Sequence, residues 1–388
     1  MSKATRTTLI KRIEKARQSR VIAYCTSDRA LSGAPSGQIS EDAIRPLHDL
    51  LRRMGRQQRI DLFLYTRGGA VDVPWRIVSA LRQYAKEWHC LVPFRAHSAG
   101  TMIAMGADSI VMGLQGELGP IDPSVSFVRP GGNTQDSVSV EDVMAFVTFV
   151  RKECGTNSDA QVLTDAILRL LERVDAVLLG RIYRNHAHIR DVAQRILRSR
   201  SRAFGHRPNT AIEKRIVSTL AERVYAHGHA ISYGEALKIG LPVSEAPVGL
   251  EGDMWKLFQQ YEEMLQLRSP LDPATLTAKK DPATEKTILA LLETSDGIFT
   301  HSAQLEVRAK RQLPQNFNPQ LAITVKFPDN FDPAQLTAEA QKLVATIAND
   351  AAEQLKRESG KILLAALKAE SPAQGYEISA RKAGWKEL

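Results

Sequence analysis

The stretch with the strongest chemical character lies around Ser98. An apolar run, Cys90-Leu-Val-Pro-Phe94, gives way to a turn at Ser98-Ala99-Gly100. An apolar helical pattern then resumes at Met102, Ile103 and Met105. A serine at a strand-to-helix junction, followed by two tiny residues, holds its hydroxyl clear of the backbone. The first amides of the helix point at a developing oxyanion. The same place also suits a serine that only caps the helix. On this stretch alone both roles stay open.

The elements that would position this serine follow from periodicity and turn chemistry. Residues 8–18 read as an amphipathic helix, with Leu9, Ile10 and Ile13 on one side. Val21 to Cys25 reads as a strand, and a polar link follows to Gln38. Ser40 can cap a helix to Met54 that Pro46 would bend. Asp61 to Thr66 is a second strand, ending in Arg67-Gly68-Gly69, and Val73, Ile77, Leu81 and Tyr84 then share a helix face. Cys90 to Phe94 and Ser109 to Met112 are further strands. Strand, Gly-Gly, helix, strand, Ser-Ala-Gly, helix, strand implies a parallel sheet with right-handed crossovers. Its glycine-bearing loops then share the edge where ligands sit in open α/β sheets. Ser139 with Asp142, and Ser232 with Glu235, are placed like capping boxes. After Val248, residues 251–310 read as mainly helical. Leu321 to Phe327 is the clearest late strand, and a long helix is expected from about Pro333 to Leu367.

The chain has 388 residues, 43% hydrophobic and 24% charged, as in a soluble globular protein of more than one domain. The start is basic and too weakly apolar for a signal peptide, and no run is long enough to span a bilayer. Cys25, Cys90 and Cys154 are scattered without paired spacing, which points to reduced thiols and a cytoplasmic setting. The net charge of +9 gathers between Arg181 and Arg215. No nucleic-acid-binding signature accompanies it, so a solvated or inter-subunit face is favoured over nucleic acid.

Thr66-Arg-Gly-Gly69, Ala96-His-Ser-Ala-Gly-Thr101 and Leu118-Gly-Pro-Ile-Asp-Pro123, in that order, resemble the serine dehydrogenase proteinase family. This family is related to signal peptide peptidase A and the Clp protease subunit. The resemblance covers about residues 8–248. It implies the Clp protease/crotonase fold, a spiral of ββα units, as a domain over 1–248. Residues 249–388 would form a mainly helical α+β extension with one or two strands. It also implies Ser98 as nucleophile and an oxyanion hole from the Gly69 and Ala99 amides, with Gly68 shaping the turn. The family usually has proline before the two glycines; here Arg67 stands there.

The general base is less defined. By resemblance to the Clp subunit its place falls at Asp122, a poor base for serine unless burial raises its pKa. By resemblance to signal peptide peptidase A a lysine serves, and Lys152 ends an apolar helical pattern that could desolvate it. The other reading of Lys152 is a solvated residue at a helix C-terminus. His97 adjoins Ser98 and points away from it. His186 and His188 lie about 200° apart on a helix, so they cannot share a target, and His186 is the stronger candidate. His227-Gly-His229 has no third ligand at metal spacing, and the glycines at 113, 116 and 119 are not a dinucleotide loop, so no metal or cofactor is expected.

The expected activity is peptide-bond hydrolysis on a peptide or protein substrate, within a homo-oligomer that encloses its sites. Two alternatives stand beside it. One is a crotonase-like acyl-thioester enzyme using Glu117 or Asp122. The other is a non-catalytic oligomeric binding protein with an Arg-rich nucleic-acid-binding face.

Overall fold

The computed structural model describes residues 3–29, 37–121, 124–128, 135–139, 176–200, 210–223, 228–311 and 336–388, with scattered positions between 145 and 171. It divides into two compact units. One comprises Met1–Leu271, Lys286–Gln304 and Ala380–Leu388; the other comprises Asp272–Glu285 and Leu305–Ser379.

In the first unit, α1 (Lys3–Arg17) leads to β1 (Arg20–Thr26). A 3-10 turn and α2 (Ile44–Met54) precede β2 (Gln57–Tyr65), and α3 (Val73–Tyr84) follows. The chain continues through β3 (Ala85–Val92), β4 (Arg95–Ala96), α4 (Ala99–Met105), β5 (Ser109–Met112) and β6 (Glu117–Leu118). A hairpin, β7 (Ser124–Val128) with β8 (Gln135–Ser139), comes next. Then come α5 (Ala176–Arg198), α6 (Thr210–Ser218), α7 (Tyr233–Ile239), β9 (Val243–Glu245) and α8 (Val248–Met264). The second unit holds α9 (Pro273–Lys279), whose first turn is capped by Asp272 accepting from Ala274 N at 3.0 Å. Late in the chain lie β10 (Ala283–Glu293), β11 (Ile298–Arg311), α10 (Ala338–Glu370) and β12 (Ala373–Glu387).

Among the described residues the main sheet runs β12-β11-β10-β1-β2-β3-β5-β9. From β1 to β9 neighbouring strands are parallel, while β10 lies antiparallel to β1 with Ala23 opposite Glu293. Both faces are covered, which is why these strands read as unbroken apolar runs rather than alternating ones. One face packs Leu9, Ile10 and Ile13 of α1 with Met254, Leu257 and Phe258 of α8. The other packs Leu47, Ile77, Ile103 and Ile196 from α2, α3, α4 and α5. This is a mixed α/β fold of the ClpP-like kind, built around a mostly parallel sheet.

Two charges inside this core are matched locally. Asp61, fully buried in β2, accepts from Arg17 Nε at 2.9 Å and Ser19 Oγ at 2.7 Å. Glu293, buried in β10, is held by Arg6 at 2.8 and 3.1 Å. Removing one partner of such a pair strands a buried charge, so each pair locks its helix to the sheet.

Some expectations change. Residues 283–293 and 298–311 are strands, not helix: the run Ile288-Leu-Ala-Leu-Leu292 is apolar on both faces, a pattern that periodicity alone does not assign. Ser232 sits at the N-cap of α7 without a side-chain bond, and the Glu235 carboxylate meets His229 Nε2 at 3.0 Å instead of closing a capping box. Ser139 ends a strand rather than opening a helix. Pro46 lies in the first turn of α2, where its missing N–H costs nothing. The strand expected at 321–327 and the first residues of the long helix lie outside the described residues. Among the described residues no helix is long and apolar enough to cross a membrane.

Candidate active site

The turn after β4 is strained at one residue. Ser98 has φ 49° and ψ −114°, a left-handed region that a non-glycine residue occupies at a cost of about 1–3 kcal/mol. Its side chain makes no capping bond to α4, so the hydroxyl is not spent on the helix end. The following helix is entirely buried and holds the turn from below. Close approach makes this possible: a Cβ on Gly100 would sit 2.4 Å from Thr66 Cγ2 at the end of β2.

The Gly-Gly turn lies directly against this serine. A Cβ on Gly68 would stand 2.8 Å from Ser98 Cβ and 3.3 Å from its Oγ. Gly68 and Gly69 have φ of 116° and 154°, conformations that only glycine adopts freely. Gly68 N donates to Thr66 Oγ1 at 3.0 Å, Ile39 N to Gly68 O at 2.8 Å, and Ala70 N to Ile39 O at 2.8 Å. These bonds occupy the surrounding groups. Among the described residues, Gly69 N and Ala99 N make no hydrogen bond. Two free amides on turns flanking one serine can stabilise an oxyanion, provided a carbonyl sits between them.

Loop 118–121 is fixed beside the serine turn. Thr101 Oγ1 bonds Ala96 O at 2.7 Å and Gly119 O at 2.9 Å, and accepts from Gly119 N at 3.0 Å. A Cβ on Gly119 would come within 3.2 Å of the His97 ring, so the loop lies flat on that histidine. His97 Nε2 approaches Glu117 Oε1 at 3.1 Å, a close polar contact off hydrogen-bond alignment. Burial lowers the pKa of His97, keeping the ring neutral despite the adjacent carboxylate. The ring therefore faces Glu117 and Gly119, in keeping with neighbouring side chains pointing apart.

The base candidates are placed unevenly. Asp122 lies outside the described residues, directly after the loop that Thr101 anchors. Lys152 is exposed, so in a single chain its amine is solvated. His186 is half-buried on α5. His188, on the same helix, meets Asp72 Oδ1 at 2.7 Å, just past the Gly69 turn. Among the described residues no group of His, Cys, Asp or Glu side chains could hold a metal ion.

Sequence reasoning missed several contributors. Thr101 reads as an ordinary helix residue, and only its position in the first turn after the serine hints at a bridging role. Asp28 and Arg95 carry no motif, and Glu117 entered only as a proton-transfer candidate in the acyl-thioester alternative. Loop residues 37–40, which bind the Gly-Gly turn through Ile39, carry no motif.

A mostly parallel sheet, a strained serine between strand and helix, and a Gly-Gly turn against it define a ClpP-like architecture. Residues 1–138 match the family described as ClpP-like SDH-type serine proteinase. That range contains Gly68, Gly69, Ser98 and Ala99. Two curated proteins of Methanocaldococcus jannaschii are similar over parts of their length. The uncharacterized protein MJ0137 is 37% identical over 86 residues, 22% of this chain and 29% of that one. The uncharacterized protein MJ1495 is 32% identical over 123 residues, 30% of this chain and 41% of that one. The chain thus spans less than half the length of either relative. A solved structure, a mutant of the 1510-N membrane-bound stomatin-specific protease, aligns at 22% identity with TM-score 0.23, over 34% of this chain and 65% of that one.

Proposed function

We propose that this protein is a serine peptidase in which Ser98 Oγ attacks a peptide carbonyl. The attack passes the Ser98 proton to a base, and the oxyanion rests on Gly69 N and Ala99 N. Collapse expels the amine, which takes that proton, and water then hydrolyses the acyl-enzyme. The observation that carries this reading is Ser98 at φ 49° with no capping bond, beside two amides unpaired among the described residues. A serine that merely capped α4 would use its oxygen on the helix and avoid the strain. The family match over residues 1–138 supports the same class of chemistry.

Four side chains are candidates for the base: Asp122, Lys152, His186 and His188, the last oriented by Asp72. Lys152, exposed in a single chain, serves only if another copy covers it. The substrate is a peptide or protein chain, and a homo-oligomer would enclose the sites. Fluorophosphonate treatment followed by intact-mass measurement tests the nucleophile: one adduct is expected, absent from Ser98→Ala. A folded, assembled wild type that takes no adduct overturns the reading. Replacing each base candidate in turn identifies the proton acceptor, because its loss lowers the rate about 10²–10⁴-fold.

A further inference from the structure

Accepting Ser98 as the nucleophile, we propose that Asp28 is the hub of an ionic strap that fixes the oxyanion turn relative to the nucleophile turn. It makes Asp28 and Arg67 positioning residues. Arg67 immediately precedes Gly68 and Gly69, two residues with unusual backbone freedom. The Gly69 amide is useful only if that freedom is removed, since an oxyanion donor must be held within about 0.5 Å of its working position. The backbone of residue 67 does not supply this restraint: Arg67 N makes no hydrogen bond among the described residues.

Thr66 and Ile39 hold the glycines from the far side, and the Arg67 side chain ties the residue before them to the core. Arg67 Nε bonds Asp28 Oδ2 at 2.9 Å, and Tyr65 OH bonds Asp28 Oδ1 at 2.8 Å. Tyr65 is buried, stacked against Phe94 and tilted against Phe258, so Asp28 is anchored to the core rather than to solvent. Asp28 Oδ2 also lies 3.4 Å from Arg95 Nη1, and Arg95 Nε reaches Glu117 Oε1 at 2.9 Å. Glu117 contacts His97, the residue before Ser98. Opposite charges alternate from Arg67 to Glu117, and the line runs from the residue before the oxyanion glycines to the residue before the nucleophile.

Stability does not explain the Arg67 arm of this arrangement. The Arg67 side chain is 55% exposed, and ion pairs in such surroundings add little to folding. Its effect falls on geometry, where a misplacement of about 1 Å can cost about 10²-fold in rate. A backbone lock at residue 67 should therefore replace the strap. Proline fixes φ near −65° and removes an N–H that is idle here. Thr66, bridged to Ala96 in extended conformation, is compatible with a following proline.

The test uses the full chain and the variants Asp28→Asn, Arg67→Ala and Asp28→Asn with Arg67→Pro. Hydrolysis of p-nitrophenyl acetate, a neutral ester, gives kcat and KM. Fluorophosphonate gives the labelling rate, and hydrogen exchange by mass spectrometry reports the amides of residues 66–70. Each single variant should lower kcat and labelling about tenfold with little change in KM, and should raise exchange at 66–70, with Arg67→Ala melting as wild type does. The proline variant should restore both readouts. The strap is refuted by single variants within about twofold of wild type, by failure of proline to restore them, or by a loss confined to KM, which would make Arg67 a substrate-binding residue. Should the wild type itself take no label, the peptidase reading fails. The exchange measurement still decides the strap in that case, and unchanged exchange in Asp28→Asn overturns it.

Discussion

Replacing Gly68 with alanine tests the geometry of the site most directly. The new Cβ would lie 2.8 Å from Ser98 Cβ and 3.1 Å from His97 O, both nearer than ordinary contact. Gly68 also has φ 116°, where alanine is strained by about 1–3 kcal/mol. Neither turn can yield easily. Thr66 and Ile39 hold the glycine side, and the wholly buried α4 holds the serine side. Relief must come from moving Ser98 away from the Gly69 and Ala99 amides by several tenths of an ångström. A shift approaching 1 Å corresponds to about 10²-fold in rate, or about 2.7 kcal/mol of transition-state stabilisation. The strain should also lower the melting temperature by about 1–4 °C in a chain of this size. Fluorophosphonate labelling reports the nucleophile independently of any natural substrate, and thermal melting reports the strain. A folded Gly68→Ala protein labelled at the wild-type rate would refute the reasoning, because the nucleophile could not then be in contact with this turn.

Ser98→Gly should be inactive yet more stable than Ser98→Ala by about 1 kcal/mol, because glycine relieves the positive φ, and thermal melting of the pair checks this. Thr101→Val should cost about 1–3 kcal/mol in denaturant unfolding, since the buried hydroxyl satisfies Gly119 N and bonds two carbonyls. It should also slow labelling by freeing the loop that leads to Asp122. His89 and His97 have pKa values lowered by burial, so their unfolded forms take up protons first as pH falls. Their contribution is complete above about pH 6.5 and is lost below it, so melting temperature should drop from pH 7.5 to 5.5 and His89→Gln should flatten that drop.

The parts of the site legible in the sequence are those built by local turn chemistry. Gly68, Gly69 and Ser98 announce themselves because glycine, or a serine followed by small residues, is what a sharp strand end requires. The parallel strands were legible as apolar runs broken at regular intervals. What stayed hidden depends on contacts between distant residues. Asp28 and Arg67 are 39 residues apart, and Arg95 and Glu117 are 22 apart, so nothing in the spacing pairs them. The Ile288 to Leu292 run failed for another reason: a strand buried on both faces lacks alternation, and only its pairing with β1 distinguishes it from a buried helix. The base stays a proposal because carboxylate, amine and imidazole are all common on surfaces, and proximity to Ser98 leaves no trace in spacing.

The antiparallel pairing of β1 with β10 also sets a timetable for the nascent chain. Ala23 meets Glu293, so the edge of the first strand is finished by residues made 270 positions later. At a translation rate of about 5–20 residues per second, that edge waits roughly 15–55 s for its partner. Arg6 waits as long for the carboxylate that matches it. During that interval the ribosome-bound chain carries an open row of strand amides and carbonyls, a template for pairing with any other extended segment. A message truncated before codon 283 would leave that edge open permanently, and its product should aggregate even though every residue of the serine and glycine turns had been made.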